Sequence, residues 1–187
     1  MSFLDKISLR KINSLVALII ILLLLCHALE SLLYLTGISP YSPSMQVTGR
    51  RLFLWVMLHM IISLYLFLKD KHNNRKFKKY DHIRNDTRRQ AISGIAIVIL
   101  VILHVVTYSI SPVNVLNNYM IYIHFIIDNL LFCSLLIHLT ISIPRLMVSF
   151  GFLTEESSYE KFSHRISVAF KIIFVILLLS EVLYYFL

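Results

Sequence analysis

Charge is scarce in this chain. Of its 187 residues only 15% are Asp, Glu, Lys or Arg, where an ordinary soluble domain carries about a quarter, and 58% are hydrophobic. That imbalance excludes a soluble enzyme. Glycine and proline are also scarce, four of each, and there is no Gly-rich phosphate loop, dinucleotide fingerprint, internal repeat or low-complexity tract. The two cysteines, Cys26 and Cys133, lie inside apolar runs and read as small packing residues, not as a redox or disulfide pair. A Cys-x-x-Cys-His motif is missing, which excludes covalent c-type heme attachment. Acidic residues are the rarer sign, 10 against 18 basic ones, for a formal net charge of +8. Binding of nucleic acid requires a basic face on a soluble fold, whereas here the basic residues sit between apolar runs. No nucleic-acid partner is expected, and the charge reads as topological.

What is present is five long apolar runs. Crossing a hydrocarbon core of about 30 Å takes about 20 mostly apolar residues, and such runs occupy about 12–36, 52–68, 91–110, 119–143 and 166–187. The chain therefore reads as a single membrane domain over 1–187, an all-α integral membrane protein built as a five-transmembrane-helix bundle. Its first run is too long, and too polar at its end, for a cleavable signal peptide. Lys and Arg collect on the cytoplasmic side of short loops. Lys6, Arg10 and Lys11 precede the first run, a basic stretch from Lys69 to Arg89 joins the second to the third, and Arg145, Lys161 and Arg165 join the fourth to the fifth. The opposite side carries the SPYSPSMQVTG segment and the almost chargeless SPVNVLNN turn. These biases place the N-terminus in the cytoplasm and the C-terminus outside, in a multi-pass protein of the cell (inner, cytoplasmic) membrane surrounded by lipid. Arg50 and Arg51 break the pattern on the outer side, as headgroup anchors or as contacts to a bound anion or cofactor carboxylate.

Ionisable side chains inside membrane spans are rare, face the bundle interior and mark function. The first three runs carry one histidine each, His27, His59 and His104, and the fourth carries His124 and His138. A rise of 1.5 Å per residue, counted from the cytoplasmic charge that ends each run, gives their depths. His59, ten residues from Lys69, and His138, seven from Arg145, lie roughly 15 and 10 Å above the inner boundary. His27, sixteen residues from Lys11, and His104, fifteen from Arg89, lie at roughly 22–24 Å. By the same count His124 is roughly 31 Å up, at the outer surface. Two layers of two imidazoles, drawn from different helices, are what two bis-histidine b hemes stacked across a membrane require. Zinc fits less well, because its ligands gather at one point and these pairs differ by about 10 Å in depth. His124 lies 14 residues from His138, within about 40° of the same helix face. Hanging two hemes between two helices requires a second helix with a similar pair, and there is none. His138 is therefore kept as a ligand and His124 is not.

With these residues in place, the sequence resembles the diheme cytochrome b anchor of type-B succinate:quinone oxidoreductases, the succinate dehydrogenase and fumarate reductase family. The likeness follows the chain in order. It includes Arg10-Lys11 followed by Asn13-Ser14-Leu15 a span before His27, and one ligand histidine in each of the first four spans. It continues with RRQAISGIAIVILVILHV, where Gly94 precedes His104 by ten residues, then Gly151 and the His164-Arg165-Ile166-Ser167 stretch before span five. The resemblance implies a distal heme held by His27 and His104 and a proximal heme held by His59 and His138, two heme b in all. It implies a cytoplasmic face that docks an iron–sulfur subunit, which in turn docks a flavoprotein subunit carrying the dicarboxylate site, so that no dicarboxylate chemistry belongs to this chain. The Lys69–Arg89 and Glu155–Arg165 stretches are the expected docking surface. The sequence departs from the family in its short turn between spans three and four, its few glycines, and the arginines that stand where some menaquinone-linked members carry a carboxylate.

The expected role is electron transfer between that iron–sulfur protein and a membrane quinone, with menaquinone the expected type. The polypeptide supplies axial ligands and a low-dielectric channel, and the redox chemistry belongs to the cofactors. Candidates for quinone contact or proton exchange are Glu30, one turn beyond His27, Asp128 in the outer half of span four, and Arg50. Glu181, near the outer end of span five, reads as interfacial. Ser14 is the candidate for a proximal heme propionate. Two other classes fit the same residues: a quinone-linked cytochrome b of another membrane reductase, and a non-heme anchor or transporter whose histidines serve as polar glue.

Overall fold

The computed structural model describes residues 8–73, 81–110 and 118–187. Residues 74–80 of the basic stretch expected to dock a partner lie outside them, as does the SPVNVLNN turn up to residue 117. The architecture is five helices, α1 (Leu9–Leu35), α2 (Pro43–Asn73), α3 (Asp81–Ile110), α4 (Asn118–Ser149) and α5 (Glu156–Phe186), with no strand among the described residues. All five are long and apolar enough to cross a membrane.

Each apolar run falls on one helix, but the helices outrun the apolar stretches. α2 starts at Pro43 where the run starts at about 52, α4 ends at Ser149 where the run ends at about 143, and α5 starts at Glu156 where the run starts at about 166. Hydropathy measures the hydrocarbon-compatible part of a helix. The backbone hydrogen bonds continue through the polar flanks, where Lys, Arg, Glu and Gln are good helix formers.

Local chemistry sets the ends. The Ser8 hydroxyl accepts from the Lys11 N–H at 3.4 Å at the start of α1, and α2 opens on Pro43, whose fixed φ and missing N–H suit a first helical position. α1 and α4 both close on a glycine of positive φ, Gly37 at 71° and Gly151 at 80°. In each case the next residue donates five positions back, Ile38 to Leu33 and Phe152 to Met147, both at 3.0 Å.

α1 packs along α2, while α3, α4 and α5 form a second unit through α3–α4 and α4–α5 contacts. α1 also touches α5, but the seam of α1 and α2 against α3 and α4 is sparse, and no residue of the α2 span is buried. Large apolar residues point outward at helical spacing, among them Leu22, Leu25 and Leu29 on α1 and Ile92, Ile95 and Ile99 on α3. Cys26 and Cys133 are exposed as well. They belong to the lipid-facing surface and do not pack between helices, which corrects their reading as packing residues.

Candidate functional site: two histidine layers

Four histidines expected inside the bundle are brought together in two pairs. His27 on α1 lies within electrostatic reach of His104 on α3 and of Asp128 on α4. His59 on α2 lies within reach of His138 on α4. Each pair spans the sparse seam. Three helices give the spacing between layers. Gly49 on α2 faces the His27 ring, Gly94 on α3 faces the His138 ring, and Asp128 on α4 binds His104. From Gly49 to His59, Gly94 to His104 and Asp128 to His138 is ten residues each. At 1.5 Å per residue, each interval puts the layers about 15 Å apart, wider than the 10 Å of the sequence count.

The glycines are there for close approach. A Cβ at Gly49 would sit 3.3 Å from His27 Cε1, and one at Gly94 would sit 3.3 Å from His138 Cε1. Any side chain at either position presses on an imidazole.

The α3 and α4 histidines are held by their Nδ1 atoms. His104 Nδ1 donates to Asp128 Oδ1 at 2.6 Å, and the other carboxylate oxygen accepts from the Tyr108 hydroxyl at 2.6 Å. His138 Nδ1 donates to the Gln90 carbonyl at 3.1 Å, with Ser93 Oγ at 3.3 Å. Gln90 is fixed in turn, accepting from Arg145 at 2.6 Å and donating to Ser142 at 2.8 Å. Such partners on one ring nitrogen set the tautomer and aim the other. The α1 and α2 histidines differ: His27 Nδ1 and His59 Nδ1 are buried with no hydrogen-bond partner among the described residues. Near His59, Ser63 Oγ lies 3.4 Å from Nε2 and donates to Asn13 Oδ1 at 3.2 Å.

The half of the bundle that holds His104 and His124 carries a polar network that the sequence does not announce. Tyr108 sits between two histidines, its ring centroid 4.5 Å from that of His104 and 4.1 Å from that of His124. Its hydroxyl also lies 3.1 Å from the Tyr185 hydroxyl of α5. Glu181 accepts from Asn129 Nδ2 at 2.7 Å, linking α5 to α4. Tyr34 and Tyr184 share a hydroxyl contact of 2.7 Å between α1 and α5. Two expectations are corrected here. His124, expected at the outer surface, has 0% exposure, and Glu181, expected at the interface, has 2%. Both turn inward because a polar side chain in a span gains partners only inside the bundle. Tyr108 was the residue most open to detection, since it lies four residues beyond His104 and so on the same face.

The remaining candidates separate. Glu30 keeps a buried Oε2 without a partner among the described residues one turn past His27, while Arg50 and Arg51 are exposed near the N-terminal end of α2. Asp128 has both oxygens engaged. Ser14 meets Ser149 at 3.1 Å beside a cavity of about 430 Å³ where the start of α1 meets the end of α4, lined also by Arg10, Lys11 and Phe150. Two cations and two hydroxyls there suit an anionic group.

Among the described residues no three His, Cys, Asp or Glu side chains gather to hold a bare metal ion. The two layers offer paired nitrogens on opposite sides of a seam, a donor set suited to a planar group with two axial positions. The buried, unpartnered Nδ1 atoms of His27 and His59 and the thin packing along the seam fit such a group. No family model, curated protein or solved structure matches the chain.

Proposed function

We propose that this chain is the membrane anchor of a succinate:quinone oxidoreductase or quinol:fumarate reductase, carrying electrons between a cytoplasmic iron–sulfur subunit and a membrane quinone through two b hemes. The observation that carries the proposal is the pairing of four interior histidines from four helices in two layers about 15 Å apart, each pair bridging the sparse seam. His27 and His104 would hold the distal heme, and His59 and His138 the proximal one. Bound there, the hemes supply one-electron transfer between the two membrane faces.

The chain's own residues do the rest. Asp128 and the Gln90 carbonyl orient His104 and His138. The apolar spans exclude water and charge from the layers. The Arg10, Lys11, Ser14 and Ser149 cavity receives an anionic substituent such as a proximal propionate. Glu30, whose buried oxygen has no partner among the described residues, is the group we assign to proton exchange with the quinone, with Arg50 at the outer end of the same region. The basic connections face the iron–sulfur subunit on the cytoplasmic side, and the flavoprotein subunit docks beyond it.

The test is a reduced-minus-oxidised spectrum of the purified chain with heme quantified per protein. Two hemes with bis-histidine bands are expected, and His104→Ala is expected to remove one while leaving the other spectrally intact. A colourless protein, or unchanged heme content in the variant, overturns the proposal.

A further inference from the structure

The two histidines of the inner layer are built into the bundle unequally. His138 stands on α4, which packs against both α3 and α5, and its Nδ1 donates to the Gln90 carbonyl at 3.1 Å with Ser93 Oγ at 3.3 Å. The residue that supplies this carbonyl is itself tied down, its side chain bonded to Arg145 at 2.6 Å and to Ser142 at 2.8 Å. His59 stands on α2, whose span contributes no buried residue. Its Nδ1 has no hydrogen-bond partner among the described residues, and Ser63 Oγ, 3.4 Å from its Nε2, donates to Asn13. Whichever nitrogen of His59 turns to the seam, the other is supported by one hydroxyl at the limit of hydrogen-bonding distance or by no described residue. In the outer layer both rings have a partner, Asp128 at His104 and the Met45 backbone of α2 at His27.

We propose that the inner site has one anchoring ligand and one yielding ligand: His138 holds the heme, and His59 is the imidazole that lets go, so that α2 is the side on which a small neutral ligand reaches this site. This rests on the diheme reading. An imidazole bonded through its second nitrogen meets the metal with its orientation and tautomer already fixed. A ring without that bond gives up its rotation and its choice of tautomer on binding, and lost outer support of this kind costs about 10–100-fold in metal affinity. The helices add to the difference. α4 cannot shift without disturbing α3 and α5, whereas α2 has its main packing against α1 and only a sparse edge against α3.

The experiment follows heme release from the full chain, purified from membranes with its hemes, to excess apomyoglobin, with the spin state read from visible and electron paramagnetic resonance spectra. His59→Ala is expected to keep the inner heme in a high-spin form that binds carbon monoxide once reduced. His138→Ala should release it at least about tenfold faster than His59→Ala. At the outer site, where both rings have a partner, the ratio between His104→Ala and His27→Ala should be smaller. Variants are compared at equal helical circular dichroism; should His138→Ala fail to fold, heme retention and carbon monoxide binding in His59→Ala decide alone. Equal release from the two inner variants, faster release from His59→Ala, a His59→Ala chain that does not fold with its inner heme, or an equal or larger ratio at the outer site overturns this inference and leaves the diheme reading standing. Wild-type protein without heme overturns both.

Discussion

Glu181 and Asn129 offer a test that depends on helix packing alone. Glu181 Oε2 accepts from Asn129 Nδ2 at 2.7 Å, and that amide nitrogen also donates to the Phe125 carbonyl at 2.8 Å. Asn129 Oδ1, in contrast, is buried without a partner among the described residues. Glu181→Ala removes the only side-chain bond described between these two helices at this level. An interhelical bond in a membrane contributes about 0.6 and at most about 1.7 kcal/mol, and the void left at a 2% exposed site adds on the order of 1 kcal/mol. A loss of about 2 kcal/mol follows. Glu181→Gln behaves differently. Its amide oxygen still accepts from Asn129 Nδ2, and its new N–H donates to the orphaned Oδ1, closing a two-point amide pair. Gln carries no charge, so the cost of an ionised carboxylate in an apolar bundle cannot arise. Glu181→Gln is therefore expected to match wild type or exceed it by up to about 1 kcal/mol. Equilibrium unfolding of the full chain in mixed micelles, followed by helical circular dichroism, measures both. A cycle with Asn129→Leu should return a coupling of about 0.6–1.7 kcal/mol. If Gln costs as much as Ala, the amide pair does not form and the reasoning fails.

Two further outcomes follow from geometry and charge. At Gly94, Ala gains about 1 kcal/mol of helix propensity but sets a Cβ 3.3 Å from a His138 ring held by Gln90 and Ser93. Ala should lie within about 1 kcal/mol of wild type and Leu should lose about 1–3 kcal/mol; wild-type stability in Gly94→Leu rules out the close approach. For orientation, Cys26 and Cys133 are replaced by Ala and single cysteines introduced as Ser39→Cys and Ser157→Cys. A membrane-impermeant thiol reagent is expected to label Ser39→Cys in intact cells and Ser157→Cys only after lysis, and the reverse pattern contradicts the orientation read from Lys and Arg.

Much of the fold was legible because hydrocarbon is an intolerant solvent. Five runs that cannot sit in water give five helices, and histidines stand out against Leu and Ile. Depth was legible too, since 1.5 Å per residue converts position into level. What could not be read was rotation about each helix axis. A soluble helix declares its inner face by an apolar stripe, but here the outward faces, Leu22 or Ile95, are as apolar as the inward ones. The same blindness put Cys26 and Cys133 inside and Glu181 at the surface. His124 carried a usable signal, its four-turn spacing from His138 and hence a shared inward face, which the count of depth overrode. The partners of Glu181 and Asp128 were beyond reach of any local pattern, because Asn129 is 52 residues from one and His104 is 24 from the other.

The thin seam between the α1–α2 pair and the α3–α4–α5 unit bears on how the protein is made. Helices that leave the translocon first find the neighbours to which short connections tie them, so the two units can form before they meet. Few side-chain contacts then draw the units together. On the reading proposed above, the last step of biogenesis would be a closure driven by the groups that bridge the two sides of the seam. Until then, His27, Glu30 and His59 face a half-finished interior. Maturation would in that sense be a checkpoint, and a chain denied the proposed ligands would present quality-control proteases with a separated hairpin.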